Sequence, residues 1–586
     1  MVATGHRATF TCNGAPVDLE VEPGESLLSV LRERLGVTSA KDGCAPQGQC
    51  GCCTVLVDGD ARVACVTPVA RVEGRVVTTV EGLDPAVRDQ LVDALCATGG
   101  AQCGFCTPGI VARAAALDAK GKSSLADVER ALAAHLCRCT GWQTVTEALV
   151  SPPAPHDPKL RHPDVHRPPE RRNFGEGAAA RRAELEGGVV QRVGREVPLG
   201  RGGFADDTAP RDALVAVPLP PGSEAPSTSA AGLEWVVAES LLEARDLAAK
   251  VQGRRTTVEP MPPLPLPPMP AGGVRLGTTW VEPAYLEPDA SWCAPGGEPA
   301  SPLANGGAFG GKESSPVARA ARELADATGR TVRVLYSRED VVRLGPKRPP
   351  IAASAVVDGR RLVIDGTVAG DATPYARPPE LPYALDVESR WTAATVPGPP
   401  TAAHPRFVLA DHHVLVEGAV DTAGLDRASL VTDARAAAVL LDACATSPDG
   451  VLAGARVHLD EQGTIERVQV RVAAGDPLDE VVLRSYAVGA AHMALGWVLA
   501  EQIAVDPETG EVYDLTIRSF GVIRARSTPP IDVEIVDDDG APRARASDAV
   551  FAAVAAATWN AVTAHAGDRP ERFPDRDTVA ARALGR

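Results

Sequence analysis

No stretch of this chain is rich in lysine and arginine, and none is an unbroken apolar run long enough to cross a bilayer. The first fourteen residues carry no apolar segment of the kind a secretion signal needs. With a net charge of −17 and a pI near 5.2, nucleic acid is excluded as a partner. What remains is a soluble globular composition, 45% hydrophobic and 23% charged, and an expected cytoplasmic location. The 586 residues leave room for about four domains.

Against that background the 13 cysteines stand out. A reducing compartment disfavours structural disulfides. Eleven of the thirteen lie before residue 140, and only Cys293 and Cys444 fall outside, each read as an inert buried thiol. The first group is Cys44-x5-Cys50-x2-Cys53-x11-Cys65, in a loop punctuated by Gly43, Gly48 and Gly51. The second is Cys103-x2-Cys106-x30-Cys137-x1-Cys139. Two sets of four thiolates are what two [2Fe–2S] clusters require, although the first gap is one residue longer than the plant-type pattern. Cys52 lies between two expected ligands and is assigned as a non-ligand, because Cys50 and Cys53 keep the two-residue gap. For the close pair Cys103/Cys106 alone, a zinc site or a redox pair is the competing reading.

The flanking pattern agrees. Residues 8–22 read as a hairpin turning at Asn13-Gly14, Ser26–Leu35 as a short helix, and Val55 to Val66 as two strands around Asp58-Gly59, which is the plan of a plant-type ferredoxin. Residues 84–150 turn helical, with Pro108 in the first turn of a helix that Thr107 can cap, and Ser124 to Asp127 at capping-box spacing ahead of the stripe Leu125, Val128, Leu132, Leu136. Seven prolines between Ser151 and Gly175 mark an extended tether, and a second proline run spans Pro260 to Pro270. Ala-rich helices are expected at 317–328 and 549–562, and Val-rich strands at 331–336 and 466–472.

The fold class is therefore α+β multidomain: a β-grasp [2Fe–2S] domain at 1–82, a helical-bundle [2Fe–2S] domain at 83–150, the tether at 151–175, and mixed α/β blocks at 176–259, 271–370 and 371–586.

Cys-Gly-Phe-Cys-Thr-Pro-Gly with Cys-Arg-Cys-Thr-Gly resembles the second iron–sulfur domain of the molybdenum hydroxylases, the xanthine dehydrogenase and aldehyde oxidoreductase family. The resemblance makes Cys44, Cys50, Cys53 and Cys65 the outer cluster ligands, and Cys103, Cys106, Cys137 and Cys139 the inner ones, next to a molybdopterin that Gln102 would contact. It makes 176–259 a hammerhead-like α/β domain and 271–586 an abridged molybdopterin-binding part. Arg201-Gly-Gly-Phe-Ala-Asp-Asp207 is similar to the opening of the family's large domain, and Trp280 to Pro288 to a following strand. Asn305-Gly-Gly-Ala-Phe-Gly-Gly-Lys-Glu313 resembles the loop lining the molybdenum site. It assigns Gly306, Gly307, Phe309, Gly310 and Gly311 to the cofactor, with Phe309 and Glu313 facing substrate. Gly489 to Glu501 resembles a further family segment. Asp548 falls on the family's catalytic glutamate, where a carboxylate acts as general base; its alternative reading is an ordinary start for the Ala-rich helix that follows.

Departures from the pattern are equally legible. Only 16 residues separate Pro288 from Asn305, no Arg-Gly-Phe-Gly loop occurs between 370 and 480, and no FAD domain fits the tether. The resemblance thus implies oxidation of a heterocycle or aldehyde at a molybdopterin, with electrons passing through two [2Fe–2S] clusters to a separate FAD subunit, and a second molybdenum subunit completing the site. The alternative is an electron-transfer or scaffold subunit with a non-catalytic molybdenum-domain remnant; an iron–sulfur sensor would need an output domain that is not recognisable here.

Overall fold

The computed structural model describes residues 6–150, 176–186, 188–190, 192–249, 256–303 and 306–584. The proline tether at 151–175 and Asn305 lie outside the described residues.

Five strands form the first sheet, in the order β2-β1-β5-β3-β4: β1 His6–Cys12, β2 Ala15–Val21, β3 Thr54–Val57, β4 Asp60–Val63 and β5 Val76–Thr78. Both tight turns take the double left-handed form, Asn13-Gly14 at φ 50° and 83° and Asp58-Gly59 at 51° and 81°. This twist suits two-residue hairpins and explains why Asn-Gly and Asp-Gly stand there. Ala8, Phe10, Val55 and Val77 of the sheet are buried against Leu27, Leu28, Val30 and Leu31. Those four belong to a helical turn that begins at Leu27–Ser29, capped by Ser26, and widens to a π-turn over Val30–Arg34. The cysteine loop 44–53 hangs between this turn and β3.

Four helices follow. Helix α1 (Pro85–Thr98) starts on Asp84, whose carboxylate accepts from Ala86 and Val87 N–H, and stops at left-handed Gly99. Helix α2 (Thr107–Asp118) begins one residue earlier than Thr107 capping requires: Cys106 is already right-handed helical and occupies the cap position, with no side-chain cap bond. Thr107 is the first helical residue. Helix α3 (Leu125–Ala131) is capped by Ser124, which accepts from Asp127 N–H, and α4 (Gln143–Leu149) packs against α1.

Beyond residue 192 three more sheets appear. One carries Ala290–Cys293, Val332–Leu335, Leu214–Pro218, Leu233–Ala238 and Thr228–Ala230 in that order, with helix α5 (Val317–Thr328) against it. This crosses the boundary expected between 176–259 and 271–370. Leu214–Pro218 would otherwise present an open edge, and Val332–Leu335 covers it in parallel register. The other two sheets flank three helices, α6 (Pro405–Thr422), α7 (Glu480–Leu499) and α8 (Ala546–Ala566), which share the largest core cluster. Helices α7 and α8 correct the reading that no segment could span a bilayer: both are long and apolar enough. The most apolar windows are 83% and 72% buried within the fold, so these are core helices.

Buried ion pairs tie the two halves together. Arg32 binds Asp206 at 2.6 Å and Asp207 at 3.0 Å, Lys41 pairs with Asp207, and Arg333 bridges Glu33 and Asp206, each at 2.7 Å. On the other side Arg484 grips Glu147 at 2.6 and 2.9 Å, and the Gln143 amide exchanges two hydrogen bonds with the Ile531 backbone. Asp206 and Asp207 therefore clamp the Val30–Arg34 turn and the loop that leads into the cysteines.

Candidate iron–sulfur centres and the adjoining cleft

The fold gathers Cys44, Cys50, Cys53 and Cys65 into one buried nest, none more than 3% exposed. Cys44 sits in hydrogen-bond range of both Cys50 and Cys65, and Cys65 of Cys53. Gln49 N–H points at the Cys44 sulfur at 3.4 Å and Cys65 N–H at the Cys53 sulfur at 3.4 Å. Hydrogen bonds from Cys50, Cys65 and Gln49 N–H hold the Cys44 thiol below its ordinary range, while the hydrogen bond each makes to Cys44, and burial after it, push Cys50 and Cys65 up. Metal ligation would require these four thiols to lose their protons.

The inner set pairs across its two motifs. Cys139 and Cys103 are 3.4 Å apart, and Cys106 meets Cys137. Hydrogen bonds from Cys106 and Thr140 pull the Cys137 thiol down to about 6, and Cys139 is pushed up by its bond to Cys103 and by burial. The two sets touch through the backbone: Leu136 N–H donates to Cys50 C=O at 2.9 Å, and Leu136 adjoins Cys137. Gly51 is required at this crossing, since it is left-handed at φ 73° and a Cβ would lie 2.6 Å from the His135 ring. Burial lowers His135 to about 3, so the imidazole there is neutral. Cys52 is fully buried beside the same crossing, with its thiol 3.8 Å from Cys50 C=O.

A cleft opens from the inner set toward the large half. Gln102 lines it and donates its amide to Cys139 C=O at 3.0 Å and to Ser485 Oγ at 2.8 Å. Gly306 and Gly307 form the facing wall, and a Cβ on Gly307 would stand 2.9 Å from Cys103 Cβ and 3.3 Å from Cys139 Sγ. Lys312 and Glu287 close the end with a 2.6 Å ion pair; burial, opposed by Lys312, pushes the Glu287 carboxyl up to about 7. Gly310 and Gly311 lie against the rings of His404 and Tyr285. Phe309, left-handed at φ 50°, turns into a second cavity with Arg348, Arg406, Phe407, Trp497 and Phe551.

The two expected catalytic carboxylates are both engaged. Glu313 is 59% exposed and accepts from His404 Nε2 at 3.0 Å, which lowers its pKa. Asp548 is buried and takes the Arg406 guanidinium at 2.6 Å. Nor is Asp548 a cap: Arg545 holds the cap position of α8 without a side-chain bond, and Asp548 stands in the first turn. Pattern reading missed Arg138, whose position between Cys137 and Cys139 was the available signal. Its guanidinium forks onto Glu501 at 2.5 and 2.7 Å and donates to Pro283 C=O at 3.0 Å. Arg406 was missed as well: where an Arg-Gly-Phe-Gly loop was sought, the chain runs His404-Pro405-Arg406-Phe407 straight into α6.

Comparison with known proteins fits this geometry. Residues 10–70 match the 2Fe-2S iron-sulfur cluster binding domain and residues 79–150 the [2Fe-2S] binding domain. The xanthine dehydrogenase iron-sulfur-binding subunit of Escherichia coli O157:H7 is 40% identical over 144 residues, 24% of this chain and 89% of that one. The chain belongs to the xanthine dehydrogenase and aldehyde oxidoreductase family of molybdenum hydroxylases, which are oxidoreductases. The aldehyde oxidoreductase of Megalodesulfovibrio gigas is 42% identical over 146 residues, but these are only 16% of its length. A solved aldehyde oxidoreductase from Desulfovibrio gigas superposes with a TM-score of 0.71 at 15% identity, covering 99% of this chain and 100% of that chain. A second, from Desulfovibrio desulfuricans, gives 0.70 at 16%, covering 97% and 99%. Beyond residue 150 the likeness is thus one of fold.

The cofactors this family implies divide sharply. Both cysteine nests suit [2Fe–2S] clusters by ligand number and burial. For a molybdopterin the walls are present, with Gln102 facing Gly306 and Gly307 beside the inner cysteines, and the space between them is narrow. The cleft between the inner set and Gly307 has a volume of ≈ 10 Å³ and the cavity beside Phe309 ≈ 20 Å³, each room for about one water molecule. Arg138–Glu501 and Arg406–Asp548 fill the space and occupy the carboxylates.

Proposed function

We propose that this chain is the two-cluster electron-transfer arm of a molybdenum hydroxylase-type oxidoreductase of the cytoplasm. Cys103, Cys106, Cys137 and Cys139 hold the inner [2Fe–2S] cluster, and Cys44, Cys50, Cys53 and Cys65 the outer one. The observation carrying this reading is the hydrogen bond from Leu136 N–H to Cys50 C=O, which joins a neighbour of an inner ligand directly to an outer ligand. Electrons from a small heterocycle or aldehyde, oxidised on a separate molybdenum subunit, enter at the inner cluster and leave the outer one for a separate FAD-binding subunit. Kinship with a protein named as an iron–sulfur-binding subunit supports work beside other chains. Here the molybdenum half serves as the scaffold that aligns the clusters.

A second reading keeps hydroxylation in this chain, at a molybdopterin held by Gln102 and Gly306 to Gly311; the position of Gln102 and Gly307 against the inner cysteines favours it. Metal analysis of protein purified from a host that makes the cofactor separates the two. About four irons and two distinct reduced-cluster EPR signals, with molybdenum below about a tenth per chain, support the electron-transfer arm. Molybdenum near one per chain with substrate-dependent cluster reduction gives the hydroxylase; fewer than about two irons overturns both.

A further inference from the structure

Three arginines cluster on the segment beside the outer cysteine loop. Most others meet a carboxylate. Arg518 and Arg526 are exposed and pair with no carboxylate among the described residues. Arg524, half-buried between them, donates to Ala133 C=O at 2.5 Å, and burial together with the charges of Arg518 and Arg526 lowers its pKa. On the neighbouring helix Asp127 pairs with Arg130, and Asp514 accepts from Thr516. Three like charges are therefore clustered on one face of a protein of net charge −17, and such a face attracts an anionic partner.

Its position says what that partner does. Arg518 N–H donates to Gln49 Oε1 at 3.1 Å, the preceding Ile517 N–H donates to Gln47 Oε1 at 3.0 Å, and Gln49 N–H points at the Cys44 sulfur. Arg524 holds Ala133, three residues before the Leu136 that bonds Cys50. The basic patch thus lies over the outer end of the electron path. We propose that Arg518, Arg524 and Arg526 form the docking surface for a redox protein with an acidic face, which takes one electron at a time from the outer cluster. This rests on the electron-transfer reading above. Each encounter oxidises the outer cluster by one electron and reduces the partner's redox group by one, with no proton or bond change required of this chain.

The test uses the full-length, cluster-loaded chain, reduced with dithionite and desalted, against two one-electron acceptors of high potential: an acidic blue-copper protein and lysine-rich cytochrome c. Net charge alone makes cytochrome c the faster acceptor. Docking at the patch makes the copper protein faster at low salt, with its rate falling about tenfold toward physiological ionic strength. Arg518→Glu with Arg526→Glu should slow the copper protein about tenfold and leave cluster absorbance and iron content unchanged, whereas Lys at both positions should retain the rate. Cytochrome c proving faster, or copper-protein rates indifferent to both charge reversal and salt, overturns the docking surface alone. Duplex DNA binding to the patch, with no change in electron transfer when it is occupied, also overturns it. Clusters that neither acceptor reoxidises overturn the underlying reading with it.

Discussion

Replacing Glu501 with Gln should uncouple the inner cysteine set from the large half. Arg138 and Glu501 side chains are 7% and 2% exposed and share two hydrogen bonds. Removing one charge of a buried pair leaves the other uncompensated, at a cost of about 3–5 kcal/mol. Glutamine retains one acceptor for the guanidinium, so a value of about 3 kcal/mol is expected. With a urea slope of roughly 2–3 kcal/mol/M, the midpoint should fall by about 1 M. Because Arg138 stands between Cys137 and Cys139, the inner cluster's absorbance and EPR signal should disappear at lower urea than the outer cluster's. Arg138→Met combined with Glu501→Leu should recover most of the loss, since a matched apolar pair carries no desolvation penalty. A single variant within about 0.5 kcal/mol of the parent, or a double variant as weak as the single, would refute the reasoning.

Further outcomes follow from the same geometry. Cys52→Ala should keep about four irons per chain, while Cys50→Ala should lose the outer cluster's EPR signal alone. Gly307→Ala places a methyl 2.9 Å from Cys103 Cβ at φ +76°, so the inner cluster's EPR signal should shift or vanish and the outer remain. Asp548→Ala strands the Arg406 guanidinium and should lower unfolding stability by about 3 kcal/mol; unchanged stability would argue against a structural pair. Burial alone would raise Asp206, but Arg333 and Arg32 outweigh it and hold the carboxylate well below its ordinary range. Its contribution is therefore present above about pH 4 and lost as pH falls further, and Asp206→Asn should flatten the unfolding curve there.

Local chemistry was readable in the residues, and distant chemistry was not. Asn13-Gly14 and Asp58-Gly59 announce their turns because only left-handed residues close them. The helix expected at 317–328 is found as Val317–Thr328, because its apolar stripe and Gly329 cap are both local. Thr107 misled because Cys106 had already adopted helical backbone. The pairs that shape the cleft, Arg138 with Glu501 and Arg406 with Asp548, join positions 363 and 142 residues apart. No periodicity reports such a partner. For the same reason Asp548 could be read as base or cap from its neighbours, when its role is set by an arginine on another helix.

The burial of the outer cysteines also constrains how the protein matures. With Cys44, Cys50, Cys53 and Cys65 at most 3% exposed, and Gln47 and Gln49 covered by the 515–518 segment, loading the outer site in the closed fold requires that segment to lift. The cysteine-bearing 150 residues leave the ribosome before Glu501, Ile517 and Ile531 exist to seal them. A cluster built in that interval needs no such opening, and the C-terminal half then closes over a finished site.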